Sequence, residues 1–325
     1  MEPISRIDVQ HGKLYFRGLD ATELASAHTF ESVFFLLTSG RLPSVEEETA
    51  QVRQLCTLRS TFCGDLNIPN LTSLAERIDS IAAKSGSERA LATFVACMPV
   101  VVAASWQASR DQEPVPPSPA LRHVPNLAMM LGIEADRTAI KTLEFLLILQ
   151  MDDPDNPSLT ALNDTYRKTH SLSQALRAAL ESHEDPIHHG AGHQVMRMIE
   201  EVKRVGDVRR ALESRLDRGE RIYGIGHRIY RTIDPRAVVL RRVLESRVAG
   251  TEKQWLAETI EEIGQVGCEL LRERKGVTVY PNVDLYNAAV VMTLGLPPEM
   301  NTQLFAVARS AGWAAHLMEL STSQS

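Results

Sequence analysis

The chain has no excess of positive charge, no cysteines at metal or redox spacing, few strand signals and no apolar leader. Each lack removes a class of function. A net charge of −6 and a pI of about 6.0 leave no general nucleic-acid surface. The four cysteines, Cys56, Cys63, Cys97 and Cys268, are scattered without a Cys-x-x-Cys pair. They read as buried or partly buried free thiols in a reducing compartment, and no metal site is expected. The opening Met-Glu-Pro-Ile-Ser-Arg carries no apolar signal region, so a cytoplasmic location is the default expectation. The most apolar run, Leu91 to Trp106, is short for a membrane span and contains Pro99. It reads as a buried core helix with a kink, and no membrane partner is expected. No internal repeat or low-complexity array is evident.

What is present is ordinary globular material. At 325 residues and 44% hydrophobic, the chain can form one large domain or two smaller ones. Helical periodicity dominates. Asp136 to Met151 places Ile140, Leu143, Leu147 and Met151 on one stripe behind a candidate Asp136 cap. Ser171 to His183, Asp207 to Arg218, Lys253 to Arg274 and Pro298 to Leu320 are further candidates. One extended piece is expected between Gly12 and Gly18, through Leu14-Tyr-Phe16. The fold class is therefore mainly α. Breaks fall at Glu113–Pro119, which is proline-rich and reads as a rigid interhelix connector, and at Asp152–Pro157 and His183–Gly190.

Four stretches could carry chemistry. Gly224-Ile-Gly-His-Arg-Ile-Tyr-Arg-Thr-Ile-Asp-Pro-Arg236 joins a two-glycine turn to a histidine and ends on an arginine. Glycines let the backbone approach a ligand closely, His227 can exchange a proton near neutral pH, and Arg236 offers a fork for a carboxylate. An ordinary tight turn with a surface histidine is the plain alternative. Pro186-Ile-His-His-Gly-Ala191 sets His188 just before a helix start, where free N–H groups favour anionic character; a polar loop is the alternative. In Pro281-Asn-Val-Asp-Leu-Tyr286, Asp284 sits at a helix start between apolar neighbours and reads as an N-cap. In Phe305-Ala-Val-Ala-Arg-Ser-Ala-Gly-Trp-Ala-Ala-His316, Gly312-Trp313 reads as close helix packing, and Arg309 as a snorkelling surface arginine.

Taken in order, these four motifs resemble the signatures of the citrate synthase family. The likeness extends to Leu14-Tyr-Phe-Arg-Gly-Leu-Asp20 and to Phe30–Pro43, so it covers almost the whole chain. It implies a helical two-domain fold, with a large domain of residues 1–188 and 289–325 and an inserted small domain of residues 189–288. It implies condensation of acetyl-CoA with oxaloacetate to citrate and CoA. By resemblance Asp284 is the base, His188 stabilises the enol, and His227 polarises and protonates the ketone oxygen. Arg236 and Arg309 pair with substrate carboxylates, and Gly224, Ile225 and Gly226 wrap the coenzyme. No permanently bound cofactor or metal is implied; the CoA thioester is a substrate. A homodimer is expected, through small-residue helices around Leu91–Ala108 and Ala306–Leu317.

Three departures bear on the substrate. A substrate-binding histidine of the family falls on Asp153 here, and its asparagine falls on Asn156. Around His188, His189, Gly192 and His193 replace the family's glycine, asparagine and glutamate. Met318–Ser325 does not contain the family's arginine-bearing C-terminal arm, so either the chain continues beyond these residues or the site lacks that arginine. Two alternatives therefore stand beside the leading reading. One is a 2-methylcitrate synthase using propionyl-CoA. The other is a non-catalytic regulatory subunit in a hetero-oligomer with a complete synthase.

Overall fold

The computed structural model describes residues 2–9, 11–62, 68–133, 136–184, 191–226 and 234–322, with backbone alone at Ala191 and Pro235. Three short strands come first: β1 (Ser5–Asp8), β2 (Lys13–Phe16) and β3 (Leu19–Asp20). They form one sheet in the order β1-β2-β3, with Tyr15 opposite Asp20 and Phe16 opposite Leu19 in the antiparallel β2–β3 pair. The remaining elements are helices: α1 (Ala21–Ala27), α2 (Phe30–Ser39), α3 (Val45–Phe62), α4 (Leu71–Glu76), α5 (Ile78–Ser85), α6 (Ser87–Ala108), α7 (His123–Leu131), α8 (Arg137–Leu149), α9 (Pro157–Thr169), α10 (Leu172–Glu184), α11 (Ala191–Val205), α12 (Val208–Asp217), α13 (Pro235–Val248), α14 (Gln254–Lys275), α15 (Val283–Thr293) and α16 (Pro298–Thr322). The mainly helical class expected from periodicity is the one observed.

Local chemistry explains where the helices begin. Asp136 accepts from the Ala139 N–H at the head of α8, and Asp207 from the Arg210 N–H at the head of α12. Asn156 and Asp234 cap α9 and α13, each followed by a proline at the first helical position, where its missing N–H costs nothing. These side chains satisfy donors that a helix start leaves without a backbone partner.

The chain forms two compact units. Unit 1 holds residues 2–7, 14–188 and 303–325; unit 2 holds 8–13 and 189–302. Where the family resemblance returns the chain to the first domain after residue 288, the units part after Thr302, inside α16.

In unit 1, α6 is the central rod. Its residues Leu91 to Val102 are buried throughout, and the helix runs through Pro99. Among the described residues it alone is long and apolar enough to cross a membrane, yet 83% of its apolar window is buried within the protein. It packs against α3, α4, α5 and α7. In unit 2, α15 lies between α11, α13 and α14, and buries Val283, Leu285, Ala288, Ala289, Val290 and Val291. Cys56 and Cys97 are buried and Cys268 is half-buried, all as free thiols; Cys63 lies outside the described residues. Of the stretches expected to form a dimer interface, Leu91–Ala108 is buried through Ala103 and exposed at Ser105 and Ala108, and Ala306–Leu317 is mostly buried.

Candidate active site

Unit 2 builds its site on a clasp between two chain segments. The Gly226 N–H donates to Tyr280 O (2.7 Å), and the Asn282 N–H donates to Gly224 O (2.9 Å). Ile225 and Pro281 pair as an antiparallel bridge, and Asn282 Nδ2 donates to Gly226 O (2.7 Å). The same Asn282 accepts from the Asp284 N–H (2.9 Å) and so starts α15. The helix cap is therefore Asn282, and Asp284 sits in the first turn; the reading of Asp284 as an N-cap is overturned.

The glycine turn has a packing reason that sequence alone did not give. Gly224 has φ +78°, and a Cβ there would lie 2.7 Å from Leu285 Cβ and 2.9 Å from Leu285 Cα. The empty side of Gly224 faces Leu285 of α15. On the other side of the clasp, a Cβ at Gly267 of α14 would fall 2.2 Å from Ile225 Cδ1. Two glycines thus seat the clasp against two helices. Its backbone bonds use Gly224 O, Gly226 N and Gly226 O, which narrows what the turn can offer a coenzyme.

Asp234 is the second organiser. It caps α13 by accepting from the Arg236 N–H (3.0 Å), and it takes Arg236 Nε (3.1 Å) and Nη2 (3.0 Å) in a two-point ion pair. Its Oδ2 also accepts from the Val283 N–H (3.2 Å) at the start of α15. One carboxylate therefore fixes the Arg236 guanidinium and the helix that carries Asp284. Both Asp234 and Arg236 are buried. Charged side chains survive there because the pair is bidentate and its oxygens take backbone donors as well.

Asp284 lies in the field of this pair. Burial pushes its carboxyl up to about 6; Arg236 pulls it down and Asp234 pushes it up. A carboxyl tuned to that value can take a proton near neutral pH, unlike an ordinary surface aspartate. A cavity of about 580 Å³ lies nearby, lined by Val279, Tyr280, Pro281 and Tyr286 among others, but its lining includes neither Asp284 nor Arg236.

Unit 1 contributes a different constellation, centred on Asp152. This residue is fully buried and accepts from the Ser5 hydroxyl (2.5 Å) and pairs with His316 Nε2 (2.9 Å). Burial by itself would raise its pKa; His316, Arg309 and Ser5 outweigh that and hold the carboxyl below its usual range. Arg309 is only 2% exposed, so the snorkelling-surface reading is overturned. Gly312 is packed as expected: a Cβ there would lie 2.4 Å from Met151 O and 2.6 Å from Asp152 Oδ1. Trp313 is buried and donates to Ser158 Oγ (3.2 Å), which donates in turn to Asn156 Oδ1 (2.6 Å). The His183 ring meets the Trp313 ring edge-on, with centroids 5.7 Å apart.

Asp153 is half-buried, and its Oδ1 accepts from the Asp155 N–H (3.1 Å) within its own turn. Asn156 caps α9, accepting from the Ser158 N–H (2.9 Å). His188 and His227 lie outside the described residues. The structure thus brings Gly224, Ile225, Gly226, Arg236 and Asp284 together in unit 2, and Asp153, Asn156 and Arg309 belong to unit 1. Sequence reasoning missed Asp152, Asp234, Asn282 and His316 as organisers. Asp234 and Asn282 lay inside quoted motifs, and Asp152 stood next to a flagged residue.

A family model described as "Citrate synthase, C-terminal domain" matches residues 2–325. The chain belongs to the citrate synthase family. It is an enzyme of the acyl-CoA C-acyltransferase class typical of that family. A citrate synthase of Haloferax volcanii is 32% identical over 97% of this chain and 88% of its own length. A citrate/2-methylcitrate synthase of Bacillus subtilis is 30% identical over the same shares of the two chains. The crystal structure of the citrate synthase from Thermotoga maritima superposes with a TM-score of 0.81 at 30% identity, covering 98% of this chain and 88% of that one. The helical two-domain architecture of citrate synthases is thus the fold of this chain.

Proposed function

We propose that this protein condenses a short acyl-CoA with a 2-oxo acid, most simply acetyl-CoA with oxaloacetate, to give citrate and free CoA. The observation that carries the reading is Asp284, a carboxyl pushed up to about 6 by burial and set on a helix whose start is fixed by Asn282 and Asp234. In this reading Asp284 removes a proton from the thioester's α-carbon, and His188 donates a hydrogen bond to the enol oxygen that forms. The enol carbon attacks the ketone carbon, while His227 gives its proton to the ketone oxygen. Water then cleaves the thioester, releasing the carboxylic acid and the CoA thiol. Arg236, aimed by Asp234, and the buried Arg309 each take a substrate carboxylate. The turn Gly224–Gly226 receives the coenzyme, through groups other than the backbone atoms the clasp uses.

A second reading changes only the acyl chain. It is favoured by the citrate/2-methylcitrate synthase of Bacillus subtilis at 30% identity. The test is thiol release by the purified protein with oxaloacetate and either acetyl-CoA or propionyl-CoA. Turnover with acetyl-CoA supports the first reading, and turnover with propionyl-CoA alone supports the second. Silence with both would overturn the proposal.

A further inference from the structure

The first turn of α11 and the helix that carries Asp284 meet through a side chain from a third helix. Gly192, the second residue of α11, has no room for a side chain. A Cβ there would lie 1.8 Å from Asn301 Nδ2 and 2.6 Å from Asn301 Cγ. Asn301 stands in the first turn of α16, is 1% exposed, and its Oδ1 accepts from Asn287 Nδ2 at 2.8 Å. Asn287 is buried in α15, one turn beyond Asp284 on the same helix. The carboxamide of Asn301 therefore sits on the backbone of α11 with one end and holds α15 with the other. His188 precedes α11 by three residues in the chain. Where the family resemblance has an asparagine at 192, this chain has glycine, and the Asn301 side chain fills the space beside it.

We propose that Asn301 is a positioning residue: seated over Gly192 and bonded to Asn287, it sets the spacing between α11, the helix that follows His188, and α15, the helix that carries Asp284 in its first turn. The role rests on the condensation reading above. In that reaction the base and the enol-stabilising group must meet one small thioester, and misplacement by about 1 Å can cost on the order of a hundredfold in rate. Loss of the amide should therefore fall on kcat more than on binding.

The test is a double-mutant cycle read in kcat, KM for the acyl-CoA, and Tm. Asn301→Ala, which creates no clash, is expected to lower kcat about tenfold with KM within twofold, measured well below Tm. Asn301→Ser is the milder variant if the alanine protein is poorly folded, with the same split expected. Returning the amide from the other side, in Gly192→Asn with Asn301→Ala, is expected to restore kcat to within about threefold of wild type. Gly192→Asn alone should be impaired, because both side chains then claim one space. A lowered Tm with unchanged kcat in Asn301→Ala would make the contact merely structural and overturn the proposal, as would losses that multiply in the double variant. Wild-type protein that releases no thiol from either acyl-CoA would defeat the condensation reading itself. Active wild type with an unmoved kcat in Asn301→Ala defeats only this inference.

Discussion

Replacing Asp284 with asparagine should make the protein more stable at alkaline pH while removing its activity. The folded carboxyl sits at about 6, against an ordinary 3.8. Two units at ~1.36 kcal/mol each give an upper figure of ~3 kcal/mol. The side chain keeps partial solvent access, so about 1.5 kcal/mol is the working expectation. The sign follows from linkage. Burial raises the folded pKa above the unfolded one, so the stability tied to the neutral carboxyl is complete below about pH 4 and is lost as pH rises through about 6. Asp284→Asn cannot ionise and escapes that loss. Its thermal midpoint should exceed that of wild type by a few degrees at pH 8, with the gap closing as the pH falls below about 4. Thiol release should fall by at least about 10²-fold, and the acid limb of kcat/KM in wild type should titrate near 6. A variant no more stable than wild type at pH 8 would show that burial does not hold this carboxyl up. A variant that keeps turnover would place the base elsewhere.

Three more outcomes can be checked on purified protein. Gly224→Ala should cost roughly 2–4 kcal/mol in urea unfolding, because the residue is left-handed and its Cβ would strike the Leu285 backbone; a loss under about 0.5 kcal/mol would refute the packing. His123 is fully buried, stacked on Phe30 at 4.2 Å, and pushed well below the usual histidine range by burial and by Arg59. Native protein therefore keeps it neutral while unfolded chains protonate below about 6.5, and wild type should lose up to ~1.4 kcal/mol per pH unit there relative to His123→Phe; parallel pH profiles would refute this. Asp153→His should lower KM for oxaloacetate about tenfold for each ~1.4 kcal/mol of repulsion removed, and an unchanged KM would show that Asp153 serves only its own turn.

The parts of the site that were legible in the sequence are those whose chemistry is local. Asp284, Arg236 and the Gly224–Gly226 turn each sit in a contiguous motif, and the caps Asp136 and Asp207 act within one helical turn. What sequence could not give depends on partners far along the chain. Asp152 is organised by Ser5 and His316, 147 and 164 residues away. Arg309 stands in an alanine-rich run of α16, and its burial emerges only once Asp152 is placed beside it. The cap of α15 was misjudged by two residues because Asn282 and Asp284 are both good caps, and only the pairing of Asn282 with Gly226 decides between them. Gly267 carries no signal at all until Ile225 is seen against it.

The clasp has a mechanical consequence. Its backbone is bonded to the segment that starts α15, keyed to Leu285 on one side and to the bare surface of α14 at Gly267 on the other. On the function proposed above, the turn that receives the coenzyme and the carboxyl that acts on its acyl group are carried by one bonded block. On the same proposal, a change in acyl preference is to be sought in residues outside that block.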